Sequence, residues 1–383
     1  MAFEGAAASA PAGILRRVLA HVMRPVAAVF AALAWVVGLL VLVFLLGFLA
    51  AMPGLNLIAL GVLLDAGGRV ARSGRILDGF PLVPLAPRVG SAALGVWLWL
   101  LPIALLGSLA SDAAILHPGS RADVNLHQLL HVAQVALVLH LALALAAGGR
   151  FSRFFRPLKN LRELIGDLRA GAFWEPREKA LRDALFQVSL KHHFWLGLRG
   201  FAGAALWLWL PTALLAYGDR NDRPGLLTFV GAFLLMRVLC WIPFLQLRFA
   251  AEDRFAAFFE VAQVKEAIGR APFAALVALL ITLALSLPLF LFKIVLPPRD
   301  ALWLVTPLFI AGLYPGKLLT GWTLHRAAQR SRPAWAPLRW LARLLTIPVV
   351  AAFVFILFFM QFAAEHGKGV LFEHHAFLLW IGG

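Results

Sequence analysis

This chain is poor in charge. Only 14% of its 383 residues are Asp, Glu, Lys or Arg, against 62% hydrophobic, a composition that excludes a soluble globular protein. Acidic residues are the scarcer kind, 19 against 35 basic, for a formal net charge of +16. There is a single cysteine, Cys240, which rules out an intramolecular disulfide and any Cys-rich metal site. No Ser-His-Asp constellation, dinucleotide fingerprint, Cys pair or nucleic-acid motif is present. The positive charge therefore points to loops on the cytoplasmic side and to anionic lipid headgroups, not to nucleic acid. No cofactor is implied, and a non-enzymatic role is favoured.

What the chain does have is apolar runs of membrane length. A hydrocarbon core of about 30 Å takes about 20 helical residues. Such runs extend from Val26 to Met52, Val89 to Ala110, Leu126 to Ala147, Leu198 to Tyr217, Leu226 to Leu247, Phe273 to Leu296, Ala301 to about Thr320, and Leu344 to Ala364. They predict an all-α polytopic bundle of about eight spans over 26–365. Residues 1–25 form an N-terminal segment and 366–383 a C-terminal tail. Met1 to Arg24 has the basic character of a signal n-region. The run that follows is too long and lacks a clean cleavage site, so it reads as an uncleaved first span.

Loop charge sets the orientation. Segments 53–88, 148–199, 248–270 and 317–343 hold 4, 11, 4 and 6 Lys and Arg, 25 of the 35. This places them inside and the C-terminus outside. Arg16, Arg17 and Arg24 then fall outside unless Leu55 to Leu64, after Pro53 and Gly54, returns as a re-entrant half-helix, the reading favoured here. Segments 148–197 and 248–271 read as interfacial amphipathic helices on the cytoplasmic side. Leu161, Leu164, Ile165 and Leu168 share one face, a second helix starts near Pro176, and Phe255, Phe258, Phe259 and Ala262 recur at helical spacing. Trp97-Leu-Trp-Leu-Leu-Pro102 returns as Trp207-Leu-Trp-Leu-Pro211, and Ser286-Leu-Pro288 punctuates a third span, which suggests a repeated hairpin.

Arg237 lies about ten residues from either end of its run, near the bilayer midplane, where a charge marks a functional site. Its candidate partners are Asp65, His140, backbone carbonyls or a bound anion. Asp65, Arg69, Arg72, Arg75 and Asp78, among Gly67, Gly68 and Gly74, form the densest polar cluster. Glycines let a backbone approach a ligand, and guanidiniums suit phosphate or carboxylate. On the outer side His127 and His131 stand at i,i+4, a zinc-compatible spacing without an HExxH context, near His117, Asp123 and the tail's Glu365, His366, Glu373, His374 and His375. Gly312 and Gly316 read as a close helix-packing face. Lys317 is followed by Leu318, not by the Ser or Thr of a phosphate-binding loop.

Several strings are familiar together. Gly61-Val-Leu-Leu-Asp-Ala-Gly-Gly-Arg69 with Arg72, Ser73, Gly74 and Arg75 resembles a family of uncharacterised bacterial multi-pass membrane proteins. So do Phe244-Leu-Gln-Leu-Arg248 through Glu252 and Phe258, Leu287-Pro-Leu-Phe-Leu-Phe-Lys-Ile294, Gly321-Trp322 and His375-Ala-Phe-Leu-Leu379. The resemblance implies a bacterial inner membrane and carries no activity. The function expected is binding or transport of an anionic lipid or small solute. A membrane scaffold or assembly subunit with a protein partner is one alternative, and a membrane enzyme with an outer His/Asp metal site the other.

Overall fold

The computed structural model describes residues 10–171, 189–218, 224–294, 302–364 and 367–379, and every regular element among them is helical. The elements are α1 (Ala10–Ala51), α2 (Asn56–Ser73), α3 (Ala86–Leu116), α4 (Arg121–Ala146), α5 (Pro157–Arg169), α6 (Leu190–Tyr217), α7 (Leu226–Leu239), α8 (Ile242–Glu252), α9 (Val261–Arg270), α10 (Pro272–Ile294), α11 (Leu302–Ala328), α12 (Ala336–Ala363) and a short α13 (His375–Leu378). Among the described residues six are long and apolar enough to cross a membrane: α1, α3, α4, α6, α10 and α12. The bent pair α7–α8 makes a seventh if counted as one span. Of the eight expected spans, the one from Ala301 to about Thr320 corresponds to α11, which carries Pro307, Pro315 and Lys317 and is not among these.

The expected half-helix at Leu55 to Leu64 is instead the first half of α2, one continuous 18-residue helix. Nothing stops it until Gly74, whose left-handed backbone (φ 73°) lets its N–H cap the Val70 carbonyl. Ile58 to Gly68 are buried without interruption, so α2 is the central helix, enclosed by α1, α6, α8 and α11. Its glycines serve this enclosure. A Cβ on Gly61 would meet the His193 carbonyl oxygen on α6 at 1.8 Å, one on Gly68 the Ala250 oxygen on α8 at 2.8 Å, and one on Gly67 the Lys317 oxygen on α11 at 2.8 Å. The close backbone approach read from these glycines is to neighbouring helices. Gly312 and Gly316 do form a packing face: their Cβ atoms would lie 2.9 Å from the Leu285 oxygen and 2.7 Å from Thr282 Oγ1 on α10.

The run Leu226 to Leu247 is not one straight span. It breaks after Leu239 and resumes at Ile242 with a 41° bend. Pro243 at the start of α8 is the cause, since it has no N–H to give and its ring crowds the carbonyl four residues back. The helix expected over the charged run from Arg248 is broken too. Asp253 takes a left-handed conformation (φ 50°) and a 3-10 turn, Phe255–Phe259, precedes α9. Phe258 is fully buried, stacked on Phe249 at 4.9 Å, so it leaves the face that periodicity assigned to it. Helix α5 matches the face read from Leu161 to Leu168; the helix expected near Pro176 lies outside the described residues.

Two of the hairpins share a contact, in a register that differs from the Trp97–Trp207 match. Trp99 Nε1 donates to the Phe154 carbonyl at 2.9 Å, and Trp207 Nε1 donates to the Phe258 carbonyl at 3.0 Å. Each acceptor sits in a 3-10 turn, Phe151–Phe155 or Phe255–Phe259. Each Phe ring packs on the glycine four residues before the Trp: a Cβ on Gly95 would lie 2.4 Å from the Phe154 ring, and one on Gly203 2.3 Å from the Phe258 ring. The turns share the string Arg150-Phe-Ser-Arg-Phe-Phe155 and Arg254-Phe-Ala-Ala-Phe-Phe259, and α5 and α9 follow them. A third turn, Ile76–Gly79 after α2, is held alike by the Tyr314 hydroxyl on the Gly79 carbonyl at 2.8 Å. Trp97, half exposed at 50%, is not the equivalent residue.

Candidate functional site

Arg237 is not centred in a straight span. It occupies the last turn of α7, just before the break, and lines a groove of about 470 Å³ between α7, α9 and the beginnings of α10 and α12. The local sequence builds each wall. The bend before Pro243 sets Trp241 at the corner, and Pro337 starts α12 so that Arg339, Arg343, Thr346 and Ile347 follow at helical spacing along one stripe. Lys265 and Ile268 come from α9, and Ala275, Leu276 and Leu279 from α10.

Among the described residues the groove holds four cations, Arg237, Lys265, Arg339 and Arg343, and no acidic side chain lines it. None of the four makes an ion pair within 4.0 Å among the described residues. Aromatic faces hold three of them. The Arg237 guanidinium and the Lys265 ammonium lie 5.2 and 4.9 Å from the Trp241 ring, and Arg343 lies 5.4 Å from the Trp340 ring. Two donors, Trp241 Nε1 and Arg339 Nε, are buried with no hydrogen-bond partner. Buried donors are ordinarily satisfied, and both of these are available to an acceptor in the groove. Nearby cations are treated differently. Arg248 and Arg254 share Glu252 and Glu260 at 2.6 to 2.9 Å, and Arg199 pairs with Asp253 at 2.6 Å. The hydrogen bond from Arg254 holds the Glu260 carboxyl below its usual range.

The other expected residues go elsewhere. Asp65 is buried on α2 and binds Arg69 at 2.7 Å, with Arg72 at 3.8 Å and His193 of α6 at 3.5 Å. Its one carboxylate thus occupies two of the guanidiniums that the sequence offered to a ligand. Arg72 also donates to the Ala250 and Ala251 carbonyls, at the C-terminal end of α8, where the helix dipole favours a cation. Arg75 is exposed, and its backbone N–H bonds Ser73 Oγ. Asp65 and His140 are not the partners of Arg237: the His140 ring bonds the Phe154 carbonyl at 2.8 Å and lies 4.6 Å from Trp99. His127 pairs with Asp123 at 2.9 Å. Among the described residues no three His, Cys, Asp or Glu converge as a metal site would require; Glu365 and His366 lie outside them.

Sequence reasoning also missed a buried polar centre. Lys317, counted above with the loop charges, is 2% exposed and donates to Gln246 Oε1. Gln246 in turn donates to the carbonyls of Gly200 and Phe377. That last contact seats the segment 367–379 inside the bundle, where His374 meets Thr212 Oγ1 at 2.7 Å and Asn56 reaches the Leu379 carbonyl. The groove itself was half visible. Arg339 and Arg343 stand at i,i+4 in the last basic segment, but that spacing says nothing of Arg237 and Lys265 facing them.

No family model, curated protein or solved structure matches the chain.

Proposed function

We propose that this chain is an integral membrane protein that binds an anionic lipid, or a small solute bearing the same anionic group, in the groove of Arg237, Lys265, Arg339 and Arg343. The observation that carries the reading is four cations with no ion-pair partner among the described residues, beside apolar walls, with two unsatisfied buried donors. A charged headgroup would answer the cations and a hydrocarbon chain the walls of Ala275, Leu276, Leu279 and Ile347. The arginine-rich connections lie on the cytoplasmic side of a bacterial inner membrane, with α5 and α9 at the interface. Counting α2, the pair α7–α8 and α11 as crossings besides the six long helices gives an odd number. An odd number keeps Arg16, Arg17 and Arg24 inside and the C-terminus outside without a re-entrant piece.

The test is lipid retention. The purified protein should carry anionic lipid in native mass spectrometry and melt higher when it is supplied, while Lys265→Gln and Arg343→Gln, both at exposed positions, should lower both effects. Equal retention and equal melting shifts in the wild type and both variants would remove the groove as the binding site.

A further inference from the structure

The groove's chemistry narrows its ligand, on the reading just given. Among the described residues every charged side chain lining it is a cation, and its other polar donors are the Trp241 and Trp340 indoles, Cys240 and Thr346. The Cys240 thiol is already given to the Met236 carbonyl. The hydroxyl of Thr346 is its one strong side-chain acceptor, and that group gives its own hydrogen to the Ala342 carbonyl at 2.8 Å. No Asp, Glu, Asn, Gln or His among the described residues lines the groove. The carbonyl of Gly269, at its edge, already accepts the Ala334 N–H at 3.0 Å.

We infer that the groove selects a lipid phosphomonoester, a hydrocarbon-tailed molecule ending in a bare phosphate, over the phosphodiester headgroups of ordinary membrane lipids. Two features carry this. The first is charge: a phosphodiester brings one negative charge to four unneutralised cations, whereas an ionised terminal phosphate brings nearly two. The second is hydrogen bonding. Glycerol, serine and ethanolamine headgroups append hydroxyls or an ammonium, and each would surrender water with no side-chain carboxylate or amide to receive it. A terminal phosphate has three free oxygens and, once ionised, only accepts. It therefore suits a site whose arginines, Lys265 and Trp241 Nε1 only donate. The apolar stripe of Ala275, Leu276 and Leu279 on α10, opposite Ala342 and Ile347 on α12, is the path for the tail.

The experiment compares three lipids with identical acyl chains in nanodiscs of the full chain: phosphatidic acid as the phosphomonoester, phosphatidylglycerol as the phosphodiester, and phosphatidylcholine as the zwitterion. At pH about 8 the protein should retain phosphatidic acid about tenfold over phosphatidylglycerol. The preference should shrink toward parity near pH 5, because the second phosphate ionisation, near 6, is then reversed. Arg343→Gln and Lys265→Gln should each reduce the preference, with unliganded melting unchanged as evidence of folding. Equal retention of the two anionic lipids at both pH values, still lost in the variants, would overturn the phosphomonoester inference and leave the anion groove standing. Retention that neither variant changes would overturn both.

Discussion

Alanine at Gly61 or Gly197 should pry α2 from α6. A Cβ at Gly61 would lie 1.8 Å from the His193 carbonyl oxygen, and one at Gly197 1.8 Å from the Leu57 carbonyl oxygen, whereas ordinary contact begins at 3.4 Å. The obstructing atoms are backbone, so no rotamer change relieves the clash and the helices must part by roughly 1.5 Å, when a gap of ~0.5–1 Å already forfeits up to half of a contact's attraction. Overpacking costs about 1–3 kcal/mol, and a backbone-to-backbone clash belongs at the top of that range. Alanine returns about 1 kcal/mol in helix propensity. The net loss is about 2 kcal/mol, which corresponds to a melting temperature lower by roughly 4–8 °C on the scaling for domains of 150–250 residues. The control is Gly107→Ala in α3, where a Cβ would meet nothing within 4 Å; it should melt at or slightly above the wild type. Intrinsic tryptophan fluorescence in detergent follows all three. Because both clashes lie in one interface, the double variant should lose less than the sum of the singles. Melting of Gly61→Ala within about 1 °C of the wild type would refute the α2–α6 packing described here.

Three further outcomes follow from other contacts. Trp99→Phe and Trp207→Phe should each cost about 1 kcal/mol by stripping the donor from a turn carbonyl, and Trp97→Phe should cost nothing; unequal losses at Trp99 and Trp207 in melting curves would contradict the repeat. Burial pushes His374 down to about 4 from an ordinary 6.5, so the folded state disfavours the imidazolium. Its contribution is fully present above pH 6.5 and is lost as pH falls toward 4. Hydrogen exchange over 367–379 should therefore accelerate between pH 7 and 5 beyond its intrinsic pH dependence, and a segment no less protected at the lower pH would dismiss the effect. In a Cys240→Ser background, Ser331→Cys should react with an impermeant thiol reagent only in opened cells and Arg121→Cys in intact ones; the reverse pattern would invert the orientation.

Periodicity and composition made most of the helices legible, because an apolar run of membrane length leaves its backbone no alternative to internal hydrogen bonding. Breaks were legible only where a breaker residue was weighed against the run around it. Pro243 stands in plain view in the sequence, yet the apolar residues on both sides outvoted it. The repeat was visible as repeated Trp and Pro, but its register was not, since only the Phe154 and Phe258 carbonyls decide which indole is equivalent.

The sequence by itself determined that the chain is helical, apolar on a membrane scale and basic at its connections, because those properties depend on local pattern and on charge summed along the chain. Which cations are free depended on tertiary structure. Arg69 and Arg72 sit beside Asp65 and are spent on it, Lys317 is drawn inside to Gln246, and Arg237, Lys265, Arg339 and Arg343 meet from three helices with no carboxylate beside them among the described residues. A free or neutralised charge is a property of the atoms within a few ångströms, and in this chain those atoms come from residues as many as 179 positions apart, the separation of Arg72 and the Ala251 carbonyl it binds.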